Sequence, residues 1–304
     1  MTQETDSMPF RSGFVALIGP ANAGKSTLVN RLVGRKVAIV TSRPQTTRIR
    51  VLGIVNRPDA QIVLIDTPGL YRDGSALGRQ MSDEVSQAIE AIDLLAVMID
   101  ASQGLTREAR MAFKRAGQFR GKKVLLLNKI DRMAKPALLP LLEACGREGA
   151  FEEMIPISAL SGDGTAKLIE RFLVHMPEGE PYFPQDQFTD QPERFWAAEI
   201  VREKIMEATR HEIPYSVAVF VESFEDRGQV IHISAIVQAE RESQKGILIG
   251  RAGERLKQVG TLARKELEGF FGVKVFIDLR VKVEREWRDD PQQIKQLDWR
   301  QQIK

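Results

Sequence analysis

Gly19-Pro-Ala-Asn-Ala-Gly24-Lys25-Ser26 sets a lysine and a hydroxyl directly behind a pair of spaced glycines, the G-x-x-x-x-G-K-[ST] pattern that suits a polyphosphate. Glycines let the backbone curl until successive amides point at phosphate oxygens, and a helix starting there adds the positive end of its dipole. Lys25 would bring its charge to the β and γ phosphates and Ser26 would ligate Mg²⁺, with Gly19, Asn22, Ala23, Gly24 and Thr27 completing the contacts. Downstream, the apolar run Ile62-Val-Leu-Ile65 delivers Asp66-Thr-Pro-Gly69. A carboxylate at that strand end can hold a Mg²⁺-bound water, and the Gly69 amide can reach the γ phosphate. Asp-Thr-Pro-Gly alone is a common turn, and its weight comes from its distance behind the phosphate loop. Between the two lies polar Arg43-Pro-Gln-Thr-Thr-Arg48. A threonine there would join the Mg²⁺ shell only while the γ phosphate is present; Thr47 is the expected ligand and Thr46 the alternative. Lys25, Thr47, Gly69 and Asn22 are the residues expected to serve hydrolysis.

The third motif concerns the base. Val124-Leu-Leu-Leu-Asn128-Lys129-Ile-Asp131 puts Asn, Lys and Asp at the end of an apolar strand, where open α/β sheets bind ligands. The Asp131 carboxylate can accept two hydrogen bonds from the imide and amine of guanine, a donor pair adenine lacks. A carboxylate left unpaired rejects the wrong base, because buried polar groups lose heavily without partners. Lys129 can cover the base with its stem, and the Ser158-Ala159-Leu160 turn can offer an amide to the guanine oxygen. Asn-Lys-x-Asp alone also fits an exposed polar turn; in series with the other two motifs it points to a guanine nucleotide, GTP or GDP, with Mg²⁺.

These residues need a scaffold, and the chain is long enough for two cores. Its 304 residues, 43% hydrophobic and 28% charged, are ordinary for a globular protein, and no run approaches the roughly 18 apolar residues of a spanning helix. Met1 to Pro9 shows no basic stretch followed by an apolar one, so a secretory leader is not expected and a cytoplasmic location is. Cys145 is the single cysteine, expected as a small buried hydrophobe. His175, His211 and His232 lack metal-ligand spacing.

From Gly13 to Met176 short apolar runs alternate with amphipathic stretches, the mark of α/β architecture. Strands are expected at Phe14 to Gly19, Arg50 to Asn56, Ala60 to Asp66, Leu94 to Asp100, Lys123 to Asn128 and Met154 to Ile157. The connection around Arg57, Pro58 and Asp59 is too short for a crossover, so the second and third should pair antiparallel and the sheet should be mixed, mostly parallel. Pro177, Pro181, Pro184 and Pro192 favour an extended, semi-rigid connector over a packed element. The expected division is a tail 1–12, a nucleotide-binding domain 13–176, a linker 177–192, an α+β domain 193–290 and a polar tail 291–304 for which a helix is open. Within the α+β domain the expected order is a helix from Glu193 to about Glu212, strands Ser216 to Glu222 and Val230 to Ala239, helical material around Gly250, and a strand from Val273 to Val283.

That second domain holds Gly246-Ile-Leu-Ile-Gly250-Arg-Ala-Gly253-Glu-Arg-Leu-Lys257, a Gly-x-x-Gly loop before an amphipathic helix. In KH domains such a loop brings its backbone close to single-stranded RNA, and glycines keep side chains out of the way. Seven Lys or Arg against two Glu lie between Arg241 and Lys265, while the whole chain carries only +3. The contrast favours one local basic groove over indiscriminate coating of nucleic acid. Lys245, Gly246, Ile249, Gly250, Arg251, Ala252, Gly253, Arg255 and Lys257 are the expected RNA contacts, an ordinary capped helix with a solvated basic face being the alternative. Phe270 and Phe271 are expected in the core more than as base platforms.

Asn22, Pro44-Gln-Thr-Thr-Arg48, Asp66-Thr-Pro-Gly69, Asn128-Lys-Ile-Asp131, Ser158-Ala-Leu, Ser243-Gln-Lys-Gly-Ile-Leu-Ile-Gly250 and Trp287-Arg-Asp-Asp-Pro291 together resemble the bacterial Era family of translation-factor-like GTPases, over nearly the entire chain. The resemblance implies a P-loop GTPase domain followed by a type II KH domain. It also implies binding near the 3′ end of small-subunit (16S) ribosomal RNA, with the 30S subunit or its precursor (pre-30S) as partner and a role in small-subunit biogenesis. Peripheral association with the inner face of the cell membrane follows from the same resemblance, although nothing in the sequence encodes an anchor; a monomer is expected. Pro20-Ala21 stands where many relatives carry a basic residue and then Pro, and Glu284 and Glu286 stand where relatives often carry lysines. Leu70 follows Gly69 where Ras-like enzymes place a glutamine that orients water, so slow intrinsic hydrolysis is expected. Asn22 lies where several relatives help to hold a monovalent cation; K⁺ there, or an asparagine that stabilises the loop's own turn, are both open. Two rival readings stand beside this one: a signalling GTPase whose second domain binds a protein or membrane, and a nucleotide kinase, for which no acceptor site is evident.

Overall fold

Unbroken burial on both faces of the central strands decides the first architecture. Val15 and Leu17 point to one side of the sheet and Ala16 and Ile18 to the other, all without solvent exposure, so both faces must be covered by helices. The computed structural model describes residues 9–70, 74–210 and 213–301; the expectations on Met1 to Met8, His211, Glu212 and the last three residues lie outside them. The described residues fall into two compact units, one drawn from 9–38, 47–70 and 81–190, the other from 39–46, 74–80, 191–210 and 213–301.

In the first unit β1 (Arg11–Ile18), α1 (Lys25–Val33), β2 (Val51–Asn56), β3 (Ala60–Asp66), the part of α2 (Ala76–Ala88) from Met81 onward, β4 (Leu94–Asp100), α3 (Arg107–Ala116), β5 (Lys122–Asn128), α4 (Leu138–Glu148), β6 (Glu153–Pro156) and α5 (Thr165–His175) follow in order. The sheet order is β2-β3-β1-β4-β5-β6, parallel except for the antiparallel β2–β3 pair. β1 is central and the winding reverses there, which leaves a crevice at the carboxyl ends of β1, β3 and β4. One core gathers α1 and α5 residues such as Leu28, Leu168 and Phe172; the other gathers Ala109, Ala112 and Phe113 of α3 with Cys145 of α4. Cys145 is fully buried, and burial followed by the Glu148 charge pushes its thiol up to about 11, which makes it a packing residue.

The Pro-rich segment 177–190 has no helix or strand, yet it is fastened to this unit. The buried Gln61 amide holds it: Oε1 accepts from the Tyr182 and Phe183 amides at 2.8 and 3.0 Å, and Nε2 donates to the Phe183 carbonyl at 2.8 Å. The Phe188 carbonyl accepts from the Ile54 amide at 3.0 Å, so the segment lies along the β2 edge. Proline-rich backbone rejects regular structure without rejecting side-chain partners.

The second unit runs α6 (Glu193–Ala208), α7 (Ile213–Ser216), β7 (Ala218–Asp226), β8 (Val230–Ala239), α8 (Glu242–Ile249), α9 (Glu254–Phe271), β9 (Lys274–Val283) and α10 (Pro291–Leu297). β8 is the middle strand, antiparallel to β7 and parallel to β9. Ile231, Ile233, Ala235 and Val237 alternate inward against Ile200 and Val201 of α6 and Val259, Ala263 and Leu267 of α9. Ile39 joins the same core. The residues after β9 are built in: Trp287 is fully buried with its Nε1 donating to the Ser216 carbonyl at 2.9 Å, and the Arg288 guanidinium pairs with both Glu240 carboxylate oxygens. Asp290 caps α10 by accepting from the Gln292 amide, Pro291 takes its first turn, and Ile294 is buried, so the stretch read as a polar tail packs as a helix in its first half. Phe271 packs edge-on against Phe224 with ring centroids 5.8 Å apart and joins the core, whereas Phe270, tilted 5.4 Å from Trp196, stays 38% exposed and does not.

Candidate functional site: a phosphate loop with a base pocket, and a glycine-loop groove

The loop after β1 is tied to the strand ends around it. Lys25 opens α1, only 6% exposed, and its Nζ donates to the Gly19 and Pro20 carbonyls at 3.2 and 3.1 Å. Burial pulls its pKa down from 10.5 to about 8 against the opposing pull of Asp66. Ser26 Oγ donates to Asp66 Oδ2 at 2.6 Å and lies 3.0 Å from Thr47 Oγ1, which itself reaches Asp66 Oδ2 at 3.3 Å. Three motifs thus meet at one carboxylate, and Thr47 is the threonine that does so. Thr46 turns its hydroxyl to Thr41 and to the Arg43 carbonyl instead. Asp66 is fully buried and its Oδ1 has no hydrogen-bond partner; burial pushes its pKa up, opposed by Lys25 and the two hydroxyls.

Gly69 and Leu70 approach the loop from the other side. The Leu70 amide donates to the Gly19 carbonyl at 3.0 Å, and a Cβ on Gly69 would stand 2.7 Å from Ala21 Cα, so only glycine fits. The Leu70 side chain is half-buried against the second core of this unit. Asn22 is exposed at φ 59°, in the left-handed region that asparagine tolerates.

At the base end, Asn128 is a tie more than a free contact. It is 2% exposed; Nδ2 donates to the Ala23 carbonyl at 2.7 Å and Oδ1 accepts from the Ala159 amide at 2.9 Å, joining the phosphate loop to the Ser158-Ala159-Leu160 turn. Arg31 donates to the Ala159 and Leu160 carbonyls and braces that turn. Asp131 is exposed on the short turn after β5, and Lys129 pairs through Nζ with Asp100 Oδ2 at 2.7 Å. Asp100 and Arg31 were not singled out from sequence. Asp100 ends β4 directly beside Asn128 in parallel register, a neighbour that only the strand order reveals. A cavity of about 360 Å³ beside the loop is lined in part by Asn22, Asp100, Thr106 and Lys129. Among the described residues no group of three or more His, Cys, Asp or Glu could hold a metal.

In the second unit α8 ends at Gly250, and Arg251–Gly253 form one tight turn before α9. Gly250, Ala252 and Gly253 have φ of 75°, 51° and 79°, and a Cβ on Gly250 would meet Arg255 Cβ at 2.8 Å. Arg251, Ala252 and Lys257 are exposed, Lys245, Ile249 and Arg255 half-buried, and Gly246 exposed on α8. Arg255 donates to the Ile247 carbonyl, so its guanidinium braces the loop. Next to the loop a groove of about 510 Å³ separates Lys257, Gly260 and Arg264 of α9 from Phe276, Ile277 and Leu279 of β9.

The geometry defines a class: a P-loop nucleotide-binding fold carrying guanine-selecting motifs, followed by an α+β unit with a Gly-x-x-Gly turn. Family models agree, one described as a 50S ribosome-binding GTPase over residues 14–129 and one as a KH domain over residues 212–288. The chain is 45% identical over 289 residues to the GTPase Era of Geotalea daltonii, covering 95% of this chain and 97% of that one. It is 44% identical over 293 residues to the GTPase Era of Syntrophus aciditrophicus, covering 96% of both. A crystal structure of Era in complex with MgGDPNP and nucleotides 1506–1542 of 16S ribosomal RNA matches with TM-score 0.93 and 38% identity, over 95% of this chain and 99% of that one. A single-residue variant of Aquifex aeolicus Era bound to GDP.AlF4⁻ matches with TM-score 0.92 at the same identity and coverage. The chain belongs to the GTPase Era family, and it is a GTP-hydrolysing protein.

Proposed function

We propose that this chain is a GTP-driven switch that binds 16S ribosomal RNA near its 3′ end through the KH unit and assists small-subunit biogenesis. The observation that carries the reading is a guanine-nucleotide pocket and an intact Gly-x-x-Gly groove in a chain that matches, over 95% of its length, an Era bound to both MgGDPNP and that RNA. Nucleotide binding falls to the amides of Gly19 to Ser26, to Lys25 and Thr27 on the phosphates, and to Asp131, Lys129 and the Ser158-Ala159-Leu160 turn on the base.

Ser26, Thr47 and Asp66 suit Mg²⁺. Their oxygens converge, and Asp66 Oδ1 is buried without a protein partner, as a carboxylate turned to a hard cation would be. Bound there, the ion would neutralise charge on the β and γ oxygens. The chain's own part is to hold Lys25 and the Gly69 amide toward the γ phosphate. Leu70, half-buried against the core, offers no polar group to water, so turnover is slow. K⁺ at Asn22 would add charge at the leaving phosphates; an unchanged rate when Na⁺ replaces K⁺ at constant ionic strength removes it. This reading puts the protein in the cytoplasm, with any contact with the inner face of the cell membrane peripheral; no described helix is long and apolar enough to cross a membrane.

The test is RNA binding by the full chain at several salt concentrations, with GTP and with GDP. Salt-dependent affinity that is lost in Gly250→Asp and in the exposed pair Arg251→Glu/Lys257→Glu, with thermal unfolding unchanged in the latter, is the expected result. No RNA binding in any nucleotide state overturns the reading in favour of a protein or membrane partner.

A further inference from the structure

Phe276 is 57% exposed on the edge strand β9 and lines the groove beside the glycine turn. Its neighbours Val275, Ile277 and Leu279 turn inward toward α9, whereas Phe276 shares the other face with Lys274, Asp278 and Arg280. Directly opposite in the parallel register stands His232, its ring 5.3 Å from that of Phe276 and tilted by 35°. The imidazole backs the phenyl ring while much of that ring stays open to solvent.

We propose that Phe276, backed by His232, is a stacking platform for a nucleobase of single-stranded RNA that continues past the groove. The proposal rests on the RNA reading above. The groove between α9 and β9 has a direction: α9 starts at the Gly250–Gly253 turn and runs back against β9, since the Val275 amide at the start of β9 meets Glu268 late in α9. From Gly253 to Arg264 the helix extends about 16 Å, and a KH loop clamps about four nucleotides. Phe276 and Arg264 wall the end remote from the turn. A strand leaving there meets an aromatic face, with exposed Arg264 and Lys274 beside it for phosphates. The acids of this face are already matched, Asp278 by Arg280 at 3.1 Å and Glu225 by Arg227 at 2.6 Å, so they do not repel a polyanion. Stacking tolerates any base, because every base has a π face.

The experiment measures binding of the 16S fragment 1506–1542 to the full chain across a salt series, with 2-aminopurine placed singly along its unpaired stretch. Phe276→Ala should weaken binding about tenfold, leave the slope of log K against log salt unchanged, and abolish the fluorescence quenching at one position. Phe276→Trp should restore both affinity and quenching. Lys257→Ala provides the contrast, since losing a phosphate contact lowers the slope by about 0.7 for a single strand. Phe276→Ala binding as tightly as the unaltered chain, or lowering the slope as Lys257→Ala does, overturns the proposal. If the unaltered chain binds no RNA, the RNA reading itself falls and this proposal with it.

Discussion

Lys25, Asp66, Thr47 and Asn128 are 6, 0, 9 and 2% exposed, whereas Arg251, Ala252, Lys257 and Arg264 all face solvent. The first group is held by one another and by neighbouring backbone; the second borrows its shape from a turn and its chemistry from unburied charge. A site of the first kind discriminates sharply, because any mismatch leaves a buried group unpaired. A site of the second kind gains in small increments and yields to salt. The two units therefore should respond to substitution on different scales.

Asp131→Asn tests the upper end, since Asp131 is exposed on its turn and a base seated on its carboxylate would bury it. A carboxylate that reads two donors of guanine should, as an amide, favour xanthine nucleotide, with the GTP/XTP preference moving by on the order of 10⁴. Competition binding checks it, and unchanged guanine preference breaks the assignment. Asn128→Ala comes next: the Ala23 carbonyl and Ala159 amide lose their buried partner, a cost of about 2 kcal/mol. Thermal unfolding of the first unit should fall by about 4–8 °C, together with nucleotide affinity.

Much of the nucleotide site is legible in sequence because its motifs are local: a strand, a short polar string and a helix start lie next to one another in the chain. The ties between motifs are not. Asp100 meets Lys129 only because β4 and β5 are neighbours, and Arg31 meets the Ala159 turn from 128 positions away. Gln61 reads as an ordinary polar residue in an apolar strand, yet it fastens Tyr182 and Phe183 through an amide that is fully buried. In the second unit the order of elements follows from periodicity, while Arg255 reads as one more phosphate contact and turns out to donate to the Ile247 carbonyl. Phe276 hides in a strand of alternating apolar residues, where one register step decides between core and surface.

Lys25 gives the comparison a pH axis. Its pKa of about 8, below the ordinary 10.5, means that the unfolded chain binds more protons than the folded one between those values. The nucleotide-free protein should therefore gain stability as pH rises through that window. Nucleotide affinity should move the opposite way, because phosphates require the charged ammonium and binding above pH 8 must take up a proton. The fall approaches tenfold per pH unit at about pH 9. Calorimetry in buffers of different ionisation enthalpy reads the proton directly, and affinity flat from pH 7 to 9.5 contradicts the assignment. RNA affinity should hardly change over the same range.

The smallest effect separates two arginine and lysine roles within the exposed groove. Lys257 is exposed and has only charge to offer, so Lys257→Ala should weaken RNA binding a few-fold and lower the salt slope by about 0.7, with unfolding unaffected. Arg255 works through the turn: its bond to the Ile247 carbonyl ties the start of α9 to α8 across the Gly250–Gly253 loop. Arg255→Ala should thus weaken binding while the slope stays as it was, because no phosphate contact is lost. Equal slopes in the two variants would break this division, and a lowered slope in Arg255→Ala would return that residue to the phosphate contacts the sequence suggests.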